Sequence, residues 1–459
     1  MENKTEITYK KETFFKEQSS EMTAKAFEFA KDYVAYLDSS KTEREAVSSA
    51  IELARAEGFV EYKMGDKIER GNRYYLNNRG KSFILFVPGS EDINCGIRIS
   101  ASHIDSPRID LKQVPLYEED GMAFFKTHYY GGIRKYQWLA LPLALHGVVV
   151  KESGEVVNVT VGEDECDPVF YINDLLPHLA REMGSKPLNT AIDAEKLNIL
   201  CGSMPLEGEE SNAIKMNVLS YLNEKYGITE KDFLSAELCV VPAGKTRDIG
   251  FDRALLCGYG HDDRVCAYPS LRALFDHKEP KHTLMCILAD KEETGSEGNT
   301  GMKSVIFSDL IAELALHLGG NERVIRSNSK CLSADVSACY DPNYTFAFEK
   351  KNSALLSCGV VLTKFTGSGG KSGTNDASPE YIAWLRSAMS SEKITWQTAE
   401  LGRVDVGGGG TVAKFIANCN IETVDLGVPV ISMHAPYEVI AKVDLYEAYR
   451  AFSVFNIFD

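Results

Sequence analysis

Residues 283–289, Thr-Leu-Met-Cys-Ile-Leu-Ala, make a β-rich run with no charged side chain, and the run ends abruptly in Asp290-Lys291-Glu292-Glu293-Thr294-Gly295. A strand that does not alternate apolar with polar residues has no face to offer water, so it has to be covered on both sides. Similar runs occupy 83–87, 97–101, 355–362 and 428–433, and helical patterns at 264–277, 303–317 and 377–389 lie between several of them. Strands that alternate with helices predict an α/β/α sandwich built on a mixed, mainly parallel sheet.

Two regions depart from that rhythm. Near the N-terminus, Ser40 and Glu43 have the spacing of a capping box, and Ala46, Val47, Ala50, Ile51 and Ala54 form one apolar stripe that stops at Gly58. Between about residues 107 and 247, strand-like pieces at 147–151 and 155–161 flank Ser153-Gly154 at hairpin spacing, and acidic loops follow. This middle stretch reads as a β-rich domain, 107–247, inserted into a discontinuous α/β domain of residues 1–106 and 248–459.

Bulk properties exclude several functions. The 459 residues carry a formal net charge of −16, which repels phosphate backbones and anionic membranes and excludes nucleic acid as an expected partner. The N-terminus is charged and lacks the apolar core of a secretory signal. The longest apolar stretch, 138–150, is about half a membrane span and contains Pro142 and His146. Eleven cysteines, an odd number without a Cys-x-x-Cys pair, fit reduced thiols of a cytoplasmic protein better than a disulfide framework or a structural cysteine–zinc site.

Five segments concentrate carboxylates and histidines at the ends of apolar strands, where open α/β sheets place their sites. In Ser102-His103-Ile104-Asp105-Ser106-Pro107, His103 and Asp105 stand two apart, so on a strand they share a side and the acid can orient the imidazole. Taken alone they are equally a surface pair. Gly260-His261-Asp262-Asp263-Arg264 runs into a helix, and its aspartates suit either an N-cap or a metal bridge. Glu292 and Glu293 are the strongest signal: neighbouring side chains diverge, so one can ligate a metal while the other meets its water as a general base. Asp335 lies in a small apolar run, and His434 ends the run 428–433. Together His103, Asp262, Glu293, Asp335 and His434 offer the nitrogen and oxygen donors that zinc or another divalent first-row ion takes. No His-Glu-x-x-His and no Gly-x-Ser-x-Gly is present, and Gly370-Lys371-Ser372 lacks the first glycine of a phosphate loop because Phe365 stands there. The glycine runs 367–373 and 407–410 suit a backbone that approaches substrate, or plain turns.

This ordered set, His103-x-Asp105, Asp262, Glu292-Glu293, Asp335 and His434, resembles the aspartyl-aminopeptidase family of metallopeptidases, which includes yeast vacuolar aminopeptidase I, over nearly the whole chain. The resemblance implies a zinc-peptidase type of fold and release of N-terminal residues from peptides. It implies two zinc ions per subunit, with cobalt or manganese as substitutes, bridged by Asp262. His103 and Asp335 would complete one ion and Glu293 and His434 the other, with Glu292 as base and Asp105 orienting His103. It further implies that the inserted domain builds dimers of a homododecamer. Leu176-Pro177-His178-Leu179-Ala180 resembles the segment that carries a histidine into the partner's site, which nominates His178 as a substrate contact. Lys371 is a second nominee, in 364–375, a segment closer to the yeast vacuolar type than to the animal aspartyl type. Asp263 stands where the family often has asparagine.

Overall fold

The computed structural model describes residues 7–459, so Met1–Glu6 of the charged N-terminal stretch lie outside the described residues. Nine strands form one mixed sheet in the spatial order Val60–Glu61, Tyr74–Asn78, Ser82–Val87, Thr283–Ala289, Ile97–His103, Lys330–Ser333, Glu422–Gly427, Val360–Thr363 and Trp396–Thr398. The four strands from Thr283–Ala289 to Glu422–Gly427 run parallel, and antiparallel pairing enters on their flanks at Ser82–Val87 and Val360–Thr363.

Both faces are covered, as an all-apolar strand requires. Leu284, Cys286 and Leu288 pack with helices Ser20–Asp38, Glu43–Ala56, His261–Phe275, Pro379–Ser391 and Lys442–Ile457. Met285, Ile287 and Ala289 point the other way, with Ile97 and Ile99, against Ile306–Leu318, Glu322–Asn328 and Ala413–Ala417. Each fully buried Leu or Ile of this kind contributes roughly 1.5–3 kcal/mol.

Three local expectations need correction. The N-terminal box is built by Thr42 and Glu45: Thr42 Oγ1 accepts the Glu45 N–H at 3.2 Å and Glu45 Oε2 accepts the Thr42 N–H at 2.9 Å. Glu43 is drawn elsewhere, into buried ion pairs with Arg108 at 2.9 Å and Lys81 at 3.4 Å. The run 428–433 yields only Pro429–Val430, because Ser432 turns the chain away with φ 59°, and the sheet strand is the preceding Glu422–Gly427. The run 355–362 becomes strand only at Val360, after Ser357 and Gly359 both take positive φ.

A second sheet draws all seven of its strands from residues 108–242, in the order Val156–Val161, Leu143–Val150, Ala236–Pro242, Arg108–Glu119, Met122–Tyr130, Ile199–Gly202 and Tyr171–Ile172. Every pairing in it is antiparallel. Trp138, Phe125, Val149 and Ile199 form its own core, closed by Ile214 and Leu222 of helix Ala213–Tyr226. Among the described residues no helix is long and apolar enough to cross a membrane.

Candidate metal centre

Parallel order brings the C-terminal ends of the central strands to one edge. His103 is the last residue of Ile97–His103. Beyond Thr283–Ala289, Lys291 takes φ 65° and starts the short turn Glu292–Thr294. Asp335 follows Lys330–Ser333, and the chain leaving Glu422–Gly427 returns to place His434 at φ 65°. Asp262 stands at the start of helix His261–Phe275 behind Gly260, where an added Cβ would meet the Arg264 guanidinium at 1.9 Å. The buried Arg264 in turn donates to Ser106 Oγ at 2.8 Å and to the Ile104 carbonyl at 2.9 Å, tying the Asp262 turn to the segment after His103.

Two trios of ligand atoms converge, His103–Asp262–Asp335 and Asp262–Glu293–His434, each with its atoms within 4.8 Å of one another. Asp262 faces both imidazoles with different oxygens: Oδ1 lies 3.1 Å from His103 Nε2 and Oδ2 3.3 Å from His434 Nε2. Glu293 Oε2 lies 3.6 Å from the same His434 nitrogen. Among the described residues, Asp262 Oδ1 and Glu293 Oε1 are buried and accept no hydrogen bond. Carboxylate oxygens left that way are costly, and a divalent cation among them removes the cost, so the donor set fits a metal. The imidazoles are turned to suit it. His103 Nδ1 meets the Asp105 carbonyl at 3.0 Å and His434 Nδ1 meets the Gly132 carbonyl at 3.1 Å. A carbonyl only accepts, so each Nδ1 carries a proton and each Nε2 faces the cluster.

The electrostatics agree. Burial would lower His103 and His434, but Asp105 and Asp262 hold His103 well above the ordinary imidazole value, and Asp262 with Glu293 raises His434 to about 10. Burial would raise Asp262, yet the two histidines hold it below the usual carboxylate range. Burial raises Glu293 and Asp335. A cation competes with the protons these groups share, so binding it releases them. Burial also pushes Glu292 up to about 7, against the pull of His103.

Asp105 holds His103 through its carbonyl, with its carboxylate 3.4 Å away. That carboxylate mainly anchors the glutamates: Oδ1 accepts the Glu292 N–H at 3.1 Å, and Oδ2 accepts the Glu293 N–H at 3.2 Å and the Tyr130 hydroxyl at 2.8 Å. Asp263 Oδ2 accepts the His103 N–H at 3.3 Å. Tyr130, Gly132 and Arg264 were not singled out from the sequence. The adjacent glycines at 131–132, next to a strand, were the one visible hint of a close backbone approach.

A cavity of about 210 Å³ opens beside the trios, lined by His103, Asp262, Glu292, Asp335 and His434, with Thr363, Thr366, Thr411 and Gly408–Gly410. The two glycine runs lie against each other, since the Gly367 N–H donates to the Gly409 carbonyl and a Cβ on Gly408 would sit 2.0 Å from Gly367 O. The remaining nominees stand apart. Lys371 lies in a neighbouring hollow that shares Thr366 and Leu401 with the cavity, donates to Asp376 at 2.9 Å and covers the Phe365 ring at 3.7 Å. His178 is exposed in the loop after Tyr171–Ile172 and does not line the cavity.

Known proteins are similar to this chain in sequence and fold. The model of the family described as aminopeptidase I zinc metalloprotease (M18) matches residues 36–456. A probable M18 family aminopeptidase 1 of Clostridium acetobutylicum is 51% identical over 429 residues, 92% of each chain. The solved M18 aminopeptidase of Thermotoga maritima superposes with a TM-score of 0.94 at 39% identity, over 98% of this chain and 100% of that one. The mApe1 dodecamer of S. cerevisiae shares the fold, with a TM-score of 0.75 at 20% identity over 93% of this chain and 96% of that one.

Proposed function

The chain belongs to the M18 family of zinc metallo-aminopeptidases, and from that premise we propose that it removes N-terminal residues from peptides with two zinc ions bound per subunit. One ion would be held by His103, Asp262 and Asp335 and the other by Asp262, Glu293 and His434, with cobalt or manganese suited to the same donors. When bound, such ions supply Lewis-acid charge that acidifies water and polarises a carbonyl. Glu292 takes the proton of the attacking water on a carboxylate oxygen and delivers it to the nitrogen of the leaving amine. Burial shifts the Glu292 carboxyl upward, the direction that suits a group which must accept and return a proton. Asp105 keeps Glu292 and Glu293 in register through their backbone N–H groups. Acidic groups around the centre meet the α-ammonium of the substrate, which limits release to one residue at a time.

The observation that carries this reading is the sharing of Asp262 by two trios that use its two oxygens separately. A panel of free-amine and N-blocked peptides, run on protein of measured zinc content, tests it. Blocked peptides should be ignored, and cleavage of both kinds at equal rates would overturn the exopeptidase reading. Glu292→Gln should keep zinc and fold while losing roughly 10²–10⁴-fold in kcat. Full activity in that variant refutes the base assignment.

The proposal extends to assembly. Residues 1–106 and 248–459 form the catalytic domain and 107–247 a dimerisation domain, and the dimers associate into a homododecamer like that of the yeast relative. Leu175, Leu176 and Leu179 are exposed on either side of His178, an apolar surface that a second subunit would cover while His178 reaches its site. Lys371 meets substrate at the outer side of the cavity, in competition with Asp376. All eleven cysteines are free, which supports a reducing, cytoplasmic setting.

A further inference from the structure

The turn that presents His434 has left-handed φ at two residues with a Cβ, Ser432 at 59° and His434 at 65°. Such conformations cost energy and persist where their surroundings over-determine them. Glu438 supplies that constraint. Its side chain is 1% exposed, Oε1 accepts the His434 backbone N–H at 2.7 Å, and Oε2 accepts the Asp262 backbone N–H at 2.9 Å. Its own backbone is fixed in strand Glu438–Ala441, paired at Gly258 with the strand that leads to Asp262.

We propose that Glu438 is a positioning residue, one carboxylate that locks the backbones of Asp262 and His434 together and so sets the spacing of the second trio. The inference rests on the two-ion reading above. A carboxylate suits the task because both arms must accept from an N–H, and its two oxygens do so at 2.7 and 2.9 Å. Glutamine offers one oxygen and turns an NH₂ toward the other N–H. Aspartate keeps the charge but is too short for both.

The test titrates zinc into metal-stripped protein against a competing chromophoric chelator, with far-UV circular dichroism to follow the fold. Wild type should take up two equivalents. Glu438→Gln should bind one with affinity close to wild type and the other about 10- to 100-fold more weakly, and Glu438→Asp should fall between. A folded E438Q that binds both ions like wild type overturns the inference and leaves the two-ion reading intact. A wild type that takes up fewer than two equivalents overturns that reading, and this inference falls with it. If both variants are unfolded before zinc is added, Glu438 serves the fold rather than the site, and the proposal is wrong.

Discussion

The nine-stranded and the seven-stranded sheet treat their strand ends in opposite ways. In the first, four neighbouring strands run parallel and stop at one edge, so the residues that follow them meet although they lie far apart in the chain. In the second, each strand returns beside its neighbour, and successive ends leave from opposite edges. Among the described residues, no edge of the antiparallel sheet gathers metal-ligand donors as the parallel edge does. Its contribution to the site is the end of a single strand: Tyr130 reaches the Asp105 carboxylate and the Gly132 carbonyl holds His434. Parallel order thus brings His103, Glu292, Glu293 and Asp335 to one edge, Asp262 joins them from the helix that follows strand Leu255–Gly258, and the seven-stranded sheet adds position.

The largest loss should come from removing the group that both trios share. Asp262→Ala takes a ligand from both trios and leaves His103 and His434 without their common partner. Zinc content should fall for both ions, and kcat/KM should drop about 10³-fold or more, equivalent to several kcal/mol of lost transition-state stabilisation. Zinc analysis beside steady-state kinetics checks this. A variant that keeps both ions and most activity would show that the converging carboxylate is not the bridge.

The same contrast explains what could be read from the chain. A strand buried on both faces rarely carries charge, so Glu292, Glu293 and His103 at the ends of their runs stand out. Asp335 and Asp262 gain meaning only as members of that set. Strand Glu422–Gly427 was hidden by its own acids: Asp425 looks like a break in an apolar run, but it accepts from Thr411 Oγ1 at 2.7 Å and lines the cavity. The N-terminal cap was hidden by degeneracy, since Ser40…Glu43 and Thr42…Glu45 satisfy one pattern, and Arg108, distant in the chain, settles the choice by claiming Glu43. Tyr130 had no local signal of function and Gly132 only its place in a pair of glycines beside a strand, because both act across the junction of two sheets.

A gentler change sharpens the role given to the antiparallel sheet. Tyr130→Phe keeps the ring, which stacks under the Arg108 guanidinium at 4.1 Å, and removes only the hydroxyl that donates to Asp105. A hydrogen bond to a charged group contributes about 1.5–3 kcal/mol. The Glu292–Glu293 turn should loosen, with kcat lower by roughly 10- to 100-fold while KM changes little. A change confined to KM would mean that Tyr130 touches substrate rather than positions the glutamates. An unchanged kcat would reduce the second sheet's part in the site to Gly132.

The smallest effect concerns the seam between the sheets. His146, on strand Leu143–Val150, is buried between Glu45 Oε1 at 2.8 Å, from the helix under the parallel sheet, and Glu163 Oε1 at 3.0 Å, with Lys41 Nζ 3.4 Å from the same Glu163 oxygen. Burial would lower the imidazole, but the two carboxylates outweigh it and raise it above the ordinary 6.5. Burial would raise Glu163, and His146 and Lys41 hold it below 4.5. A raised histidine contributes stability that is complete below 6.5 and fades as pH rises through its folded value, whereas the lowered Glu163 loses its contribution as pH falls below 4.5. His146→Gln should therefore melt roughly 1–3 °C lower than wild type near pH 6 and converge on it at high pH, with zinc content unchanged at both. A deficit of the same size at high and low pH would mean that the imidazole holds the seam by packing alone, and that the two sheets meet without an electrostatic lock.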